Sequence, residues 1–320
     1  MPSHVELVRV TRSGFHECSH YGSMVITRPD GSVAYSLGDP DAAMFPRSSN
    51  KPFQATAMLE VGAALTGADL ALAAGSHVGE PMHTDRALAM LAAVGLTEDD
   101  LGCPSDLPAD EATRTAILRA GGGPRRIYMN CSGKHSGMLA ACRAAGFDIR
   151  GYLDPQHPYQ QHTLVTIARL TGEQAAAVGM DGCGAPVVGF SLTGLARAFG
   201  RMTTAEAGTA ERAVADAMRA HPEMVAGTGR NDTVVMAAHP DVLTKGGAEG
   251  VGVAALFDGS AVALKISDGA SRARMPVLVA GLRALGLDSP ILDQLAVGTV
   301  LGGGREVGTV TIAPGVAPTL

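Results

Sequence analysis

The stretch SMVITRPDGSVAYSLG, residues 23–38, alternates apolar and polar side chains on both sides of Pro29-Asp30-Gly31. Alternation sends successive side chains to opposite faces of a strand, and a glycine that accepts positive φ closes the turn, so the stretch predicts a β-hairpin. The pattern returns in GVGVAALFDGSAVALKISDG, residues 250–269, with Asp258-Gly259 as the turn, and GTVTI at 308–312 predicts a last strand. Between these ends the spacing becomes helical, over 51–62, 82–95, 111–121, 134–146, 157–172, 205–220 and 274–286. Many of these segments stop at a glycine, the residue that caps a helix in the left-handed region. Strands at both chain ends with helices between predict an α+β fold, one antiparallel sheet of N- and C-terminal segments covered by helices. The 320 residues read as a single domain, 1–320, or as two lobes around one cleft.

Composition narrows the function classes. Hydrophobic residues at 46% and charged residues at 18% describe a globular chain with a core. The net charge of -6, the absence of Trp and the lack of a basic run interleaved with aromatics argue against a nucleic-acid partner. No apolar run approaches the roughly 20 residues that span a bilayer, so no membrane association is expected. The opening MPSHVELVRVTRSGFHECSHYG lacks the pattern of a secretory signal, and the chain is expected to be soluble and cytoplasmic. Five cysteines, odd in number and widely spaced, suit free thiols or metal ligands in a reducing compartment.

FPRSSNKPFQATAMLEVG, residues 45–62, places Lys51 three residues after Ser48 at the mouth of an apolar helix. A serine hydroxyl is a poor nucleophile near neutral pH and needs a base within hydrogen-bond reach. Lysine serves if burial, a second cation or the positive helix end disfavours its ammonium. This is the Ser-x-x-Lys spacing of serine β-lactamases and penicillin-binding proteins. Alone it fits equally an N-cap serine followed by a solvated lysine. Further along, AAGSHVGEP sets Ser76 in a glycine-flanked turn and ALKISDGAS sets Lys265 near a strand end, so Ser76 and Lys265 form a possible second pair. The plainer roles are a turn hydroxyl and an edge-strand charge.

YMNCSGKHSGMLAAC holds Cys131, Lys134 and His135, and GMDGCGAPV holds Asp181 and Cys183. Two thiolates from distant segments suit a soft metal such as zinc, yet without a Cys-x-x-Cys two buried structural cysteines fit as well. Asp181 suits a carboxylate that orients a metal-bound water, or an ordinary Asp-Gly turn. His135 reads as a ligand, a substrate contact or a satisfied core histidine. Arg230, in VAGTGRNDTVVM, offers a fork for a carboxylate or a loop-fixing ion pair.

RSSNKPFQA, SHVGE, NCSGKHSGML, DGCGAP, GTGRND and KISDG, in this order from Arg47 to Gly269, resemble the class 3, rhizobial-type L-asparaginases of the L-asparaginase II family. The resemblance covers nearly the whole chain. It implies a fold similar to serine β-lactamases and glutaminases, and hydrolysis of L-asparagine to L-aspartate and ammonia. It carries the family's serine–lysine tandems onto Ser48 with Lys51 and onto Ser76 with Lys265. It also implies a Zn2+ site of Cys131, Lys134 and Cys183 that supports substrate binding, with Asp181 nearby through water, and a homodimer. A lysine binds zinc only when neutral, which would require a depressed Lys134 pKa. Arg47, His135 and Arg230 are the candidates for holding the substrate's carboxylate or carboxamide. Two other readings stand beside it: a β-lactamase or peptidase-like serine acyl hydrolase, and a non-catalytic amino-acid or metal-binding module.

Overall fold

The computed structural model describes residues 3–316. Strands run over Val5–Arg12 (β1), Phe15–Thr27 (β2), Val33–Leu37 (β3), Ala177–Met180 (β4), Pro186–Gly189 (β5), Val242–Gly247 (β6), Val251–Leu256 (β7), Ala261–Ile266 (β8), Gly298–Gly302 (β9) and Arg305–Ile312 (β10). The helices are Lys51–Glu60 (α1), Gly67–Ala73 (α2), Pro81–Ala93 (α3), Glu111–Arg119 (α4), Ser132–Ala145 (α5), Pro158–Thr171 (α6), Leu192–Thr204 (α7), Ala210–Ala220 (α8), Pro222–Val225 (α9), Asn231–Ala238 (α10), Arg274–Ala284 (α11) and Pro290–Ala296 (α12). The fold is α+β, 43% helical and 22% strand. The chain divides into two compact units: Met1–Ser49 with Gly189–Thr204 and Asp241–Leu320, and Asn50–Val188 with Ala205–Pro240.

The first unit is built on an antiparallel sheet in the order β6-β7-β8-β2-β1-β10-β9, with β3 paired to β2. Both predicted hairpins are present. Val25 lies opposite Ser36 across the Pro29-Asp30-Gly31 turn, and Ala255 lies opposite Ala261 across Asp258-Gly259. The chain ends meet as expected, with Val8 opposite Ile312 in the β1–β10 pair.

Helix α11 covers one face of this sheet, where Gly246 and Gly252 face Arg274 and Gly281 packs on Val262 and Met24. Side chains alternate along a strand, so Lys245 and Gly247 point to the opposite face. On that face a Cβ on Gly247 would stand 2.5 Å from the Pro46 carbonyl oxygen and 3.4 Å from the Ser49 amide nitrogen. Only a glycine lets β6 approach the segment that carries Ser48 so closely.

The second unit is helical apart from the β4–β5 pair. Helix α1 is buried from Lys51 to Met58, and α1 packs on α5, α6 and α8. The predicted 205–220 segment begins only at Ala210, because the Thr209 side chain accepts the Arg212 amide and fixes the helix start. Among the described residues no helix is long and apolar enough to cross a membrane.

Candidate active site

The chain has four lysines, and three of them are almost completely enclosed: Lys51 and Lys134 at 1% exposure and Lys245 at 2%. Burying an ammonium is costly without compensating partners, so each of these side chains marks a place where the fold provides them.

Lys51 opens α1 in the second unit. Its Nζ donates to the Gly75 carbonyl (2.6 Å) and is hydrogen-bonded to Ser76 Oγ (2.8 Å). The turn holding Ser76 is tightly built. The Ser76 amide donates to the Val225 carbonyl (2.7 Å), and a Cβ on Gly75 would come within 2.7 Å of the Met224 carbonyl oxygen. Ser76 thus finds its hydrogen-bonded lysine twenty-five residues upstream, a pairing that spacing does not reveal.

Next to Ser76, the His77 ring accepts the Gly79 amide at Nδ1 (3.1 Å), so its proton sits on Nε2 and points to Ser132 Oγ (2.9 Å). His77 stacks on His83 with ring centroids 5.0 Å apart. Burial, then the His83 and Lys51 charges, hold His77 well below the ordinary 6.5, and burial also lowers His83. Below pH 6.5 the unfolded chain protonates these rings while the folded chain keeps them neutral. Stability therefore falls on acidification through the window between 6.5 and the folded values, each ring contributing up to about 1.4 kcal/mol per pH unit. Urea midpoints taken on either side of pH 6.5 measure the slope, and His83→Gln is expected to flatten it.

The same unit gathers the cysteine cluster. Lys134 Nζ donates to Cys183 Sγ (3.1 Å), and Cys131 Sγ lies 2.9 Å from Asn130 Oδ1. A hydrogen bond from the Cys183 thiol, reinforced by the Lys51 and Lys134 cations, outweighs burial and holds Cys131 well below the ordinary thiol range. Giving that hydrogen bond raises Cys183. For Lys134 burial acts downward, but the Cys183 and Cys131 sulfurs, with Asp181 behind them, outweigh it and raise the ammonium. The two sulfurs and the amine form a compact, buried donor set whose chemistry fits zinc. Among the described residues no three His, Cys, Asp or Glu side chains converge, so a nitrogen from Lys134 is the third donor such an ion would find. Because Lys134 holds its proton here, in contrast to the depressed value that zinc ligation calls for, uptake would require loss of that proton.

His135, wholly buried, contacts the Tyr152 hydroxyl through Nδ1 (2.6 Å) and is pushed down to about 4 chiefly by burial. Cys103 and Cys142 are buried thiols raised to about 11, chiefly by that burial. Arg230 caps α10 and reaches the Ala109 carbonyl (3.4 Å).

In the first unit, Ser48 lies half-buried in a 3-10 turn, Arg47–Asn50, that runs directly into α1. Arg47 has φ +52°, the left-handed region that a residue with a long side chain enters only under constraint. Its guanidinium lies 3.7 Å from the Glu249 carboxylate, and Glu249 is itself at φ +58°. Lys265 is half-buried, and its Nζ donates to the Glu249 and Ile266 carbonyls (both 2.6 Å). Burial lowers its pKa, opposed by Glu249 and Asp268. Lys245, which the sequence reading passed over, is the enclosed lysine of this unit, on the same sheet face as Gly247 and the Ser48 turn.

A buried lysine hydrogen-bonded to a serine hydroxyl is a pairing that acyl-transfer chemistry can use. The L-asparaginase II family model matches residues 8–312, and the chain belongs to that family. It is therefore an asparaginase-type amidohydrolase. Among curated proteins none matches the chain. Two solved structures are similar to it: a putative β-lactamase from Bacteroides dorei, at 14% identity over 82% of this chain and 92% of that one with a TM-score of 0.44, and a β-lactamase from Mycobacterium bovis, at 11% over 78% and 88% with a TM-score of 0.42.

Proposed function

We propose that the protein hydrolyses L-asparagine to L-aspartate and ammonia through a serine acyl-enzyme. The observation that carries the reading is the Lys51–Ser76 hydrogen bond of 2.8 Å around a lysine only 1% exposed, in a chain of the L-asparaginase II family. Ser48 Oγ gives its proton to Lys51, three residues along the chain, and attacks the side-chain amide carbon. Backbone amides around Ser48 steady the oxyanion. The C–N bond then breaks, the nitrogen takes up a proton and leaves as ammonia, and water hydrolyses the ester to free aspartate and Ser48. Ser76, bonded to Lys51, passes the proton along. A second lysine keeps the charge of this network positive; Lys265 has the sequence resemblance for that role, and Lys245 has the enclosure.

Arg47, His135 and Arg230 hold the substrate's polar ends. Zinc on Cys131, Lys134 and Cys183 would supply a positive contact for substrate binding, with Asp181 behind Lys134. A homodimer in the cytoplasm completes the proposal. The test is ammonia release from asparagine and glutamine by the wild type, Ser48→Ala and Ser76→Ala, with zinc content measured on the same samples. Ser48→Ala is expected to lose at least about a hundredfold in kcat. Full turnover by Ser48→Ala removes it as the nucleophile, and hydrolysis of a chromogenic β-lactam without ammonia release replaces the reaction.

A further inference from the structure

His135 carries the one imidazole of the cysteine–lysine cluster, and its two nitrogens are treated differently by the fold. Nδ1 meets the Tyr152 hydroxyl at 2.6 Å, while Nε2 is buried without a hydrogen-bond partner. The Cys183 sulfur stands beside the ring and acts on it as a weak hydrogen-bonding neighbour and electrostatically, but it does not meet Nε2 in the geometry of an ordinary hydrogen bond.

The Tyr152 hydroxyl has a second neighbour, the Gly102 amide, which donates to it at 2.8 Å. An amide N–H only donates, so the phenol oxygen is the acceptor there. Nδ1 is the hydroxyl's other hydrogen-bonding neighbour among the described residues, so the phenol's own proton is satisfied only if Nδ1 accepts it. In a neutral imidazole, an accepting Nδ1 leaves the proton on Nε2. The surroundings hold this geometry in place. A Cβ on Gly102 would stand 3.0 Å from the phenol oxygen and 2.7 Å from Leu153 Cδ1, so the amide reaches the phenol only because residue 102 lacks one. Gln160 Nε2 donates to the Tyr152 carbonyl (2.7 Å), and the Tyr152 and His135 rings meet edge to face at 82°.

We propose that Tyr152 is a positioning residue that fixes the Nε2-protonated tautomer of His135, making Nε2–H a dedicated hydrogen-bond donor to a carboxylate or carboxamide oxygen of the bound ligand. A buried donor with no acceptor is unfavourable, and a ligand oxygen satisfies it. The same tautomer leaves His135 no lone pair on Nε2, so the ring neither ligates a metal nor takes a proton through that atom. That the ligand is an amino-acid amide rests on the function proposed above; the tautomer does not.

The decisive measurement is the 15N spectrum of histidine-labelled protein, with His135 assigned by loss of its signals in His135→Gln. The wild type is expected to show a protonated Nε2 and an unprotonated Nδ1, and Tyr152→Phe to lose that preference. With asparagine, Tyr152→Phe is expected to raise KM about tenfold with kcat changed less than about twofold. Tyr159→Phe, which removes a buried phenol bonded to the Gln54 carbonyl instead, is expected to leave the His135 tautomer and KM unchanged. A wild-type His135 protonated on Nδ1 overturns the inference whether or not the variants fold. So does a Tyr152→Phe protein that keeps both the tautomer and KM. Absence of asparagine turnover overturns the proposed substrate and leaves the tautomer reading to stand or fall on the spectrum alone.

Discussion

Lys51→Met is expected to lower kcat for asparagine hydrolysis by about a thousandfold while leaving the fold intact. Methionine keeps the length of the side chain at a position only 1% exposed, so packing at the start of α1 survives. What disappears is the amine between the Gly75 carbonyl and Ser76 Oγ. Removing a base typically costs a factor of about a hundred to ten thousand. The same change leaves the Gly75 carbonyl and Ser76 Oγ without their lysine partner, a stability cost of about 1–3 kcal/mol that leaves the folded state populated. Activity and stability therefore part company in this variant. Steady-state ammonia release beside urea unfolding measures both, and turnover within tenfold of the wild type would mean that Lys51 is a structural lysine.

The second large effect separates the two lysines of the first unit. Lys245→Met is expected to lose at least about a hundredfold in kcat/KM, and Lys265→Met less than about threefold. Lys245 is enclosed on the sheet face where Gly247 meets the segment carrying Ser48. Lys265 is half-exposed, with hydrogen bonds to the carbonyls of Glu249 and Ile266 at its own end of the sheet. Measured loss in the reverse order returns the role to Lys265. An equal, small loss in both removes a second lysine from the mechanism.

These cases show where the sequence was readable. The hairpins at 23–38 and 250–269 were legible because turn residues and alternation are local, whereas the register that pairs Val25 with Ser36 also depends on a shift between Ile26 and Thr27. Helix α7 was not. Its glycines, Gly194 and Gly200, look like loop residues, and Gly200 is required because a Cβ there would stand 2.3 Å from the Gly259 carbonyl oxygen. Strand β6 was hidden in the same way, since LTKGGAEG reads as a turn until the close approach of Gly247 to Pro46 is seen. The signal that would have exposed Lys245 was scarcity: in a chain with four lysines, each one is worth placing. The Lys51–Ser76 bond was out of reach, because it depends on how α1 and the turn after α2 pack together and no pattern of spacing encodes that. The six motifs carried the family, which the match over residues 8–312 bears out.

The meeting of β1 with β10 in the middle of the sheet has a consequence for how the chain comes off the ribosome. Most of the helical unit is one uninterrupted run, Asn50–Val188, whose contacts become available while synthesis continues. The sheet must wait, since β1 and β2 emerge first but their neighbours β8 and β10 come last. Until then two early strands carry unpaired edges and apolar side chains, the kind of surface that draws chaperones and invites misassembly. Nascent chains stalled before β6 should therefore be held by holdases far more than full-length ones.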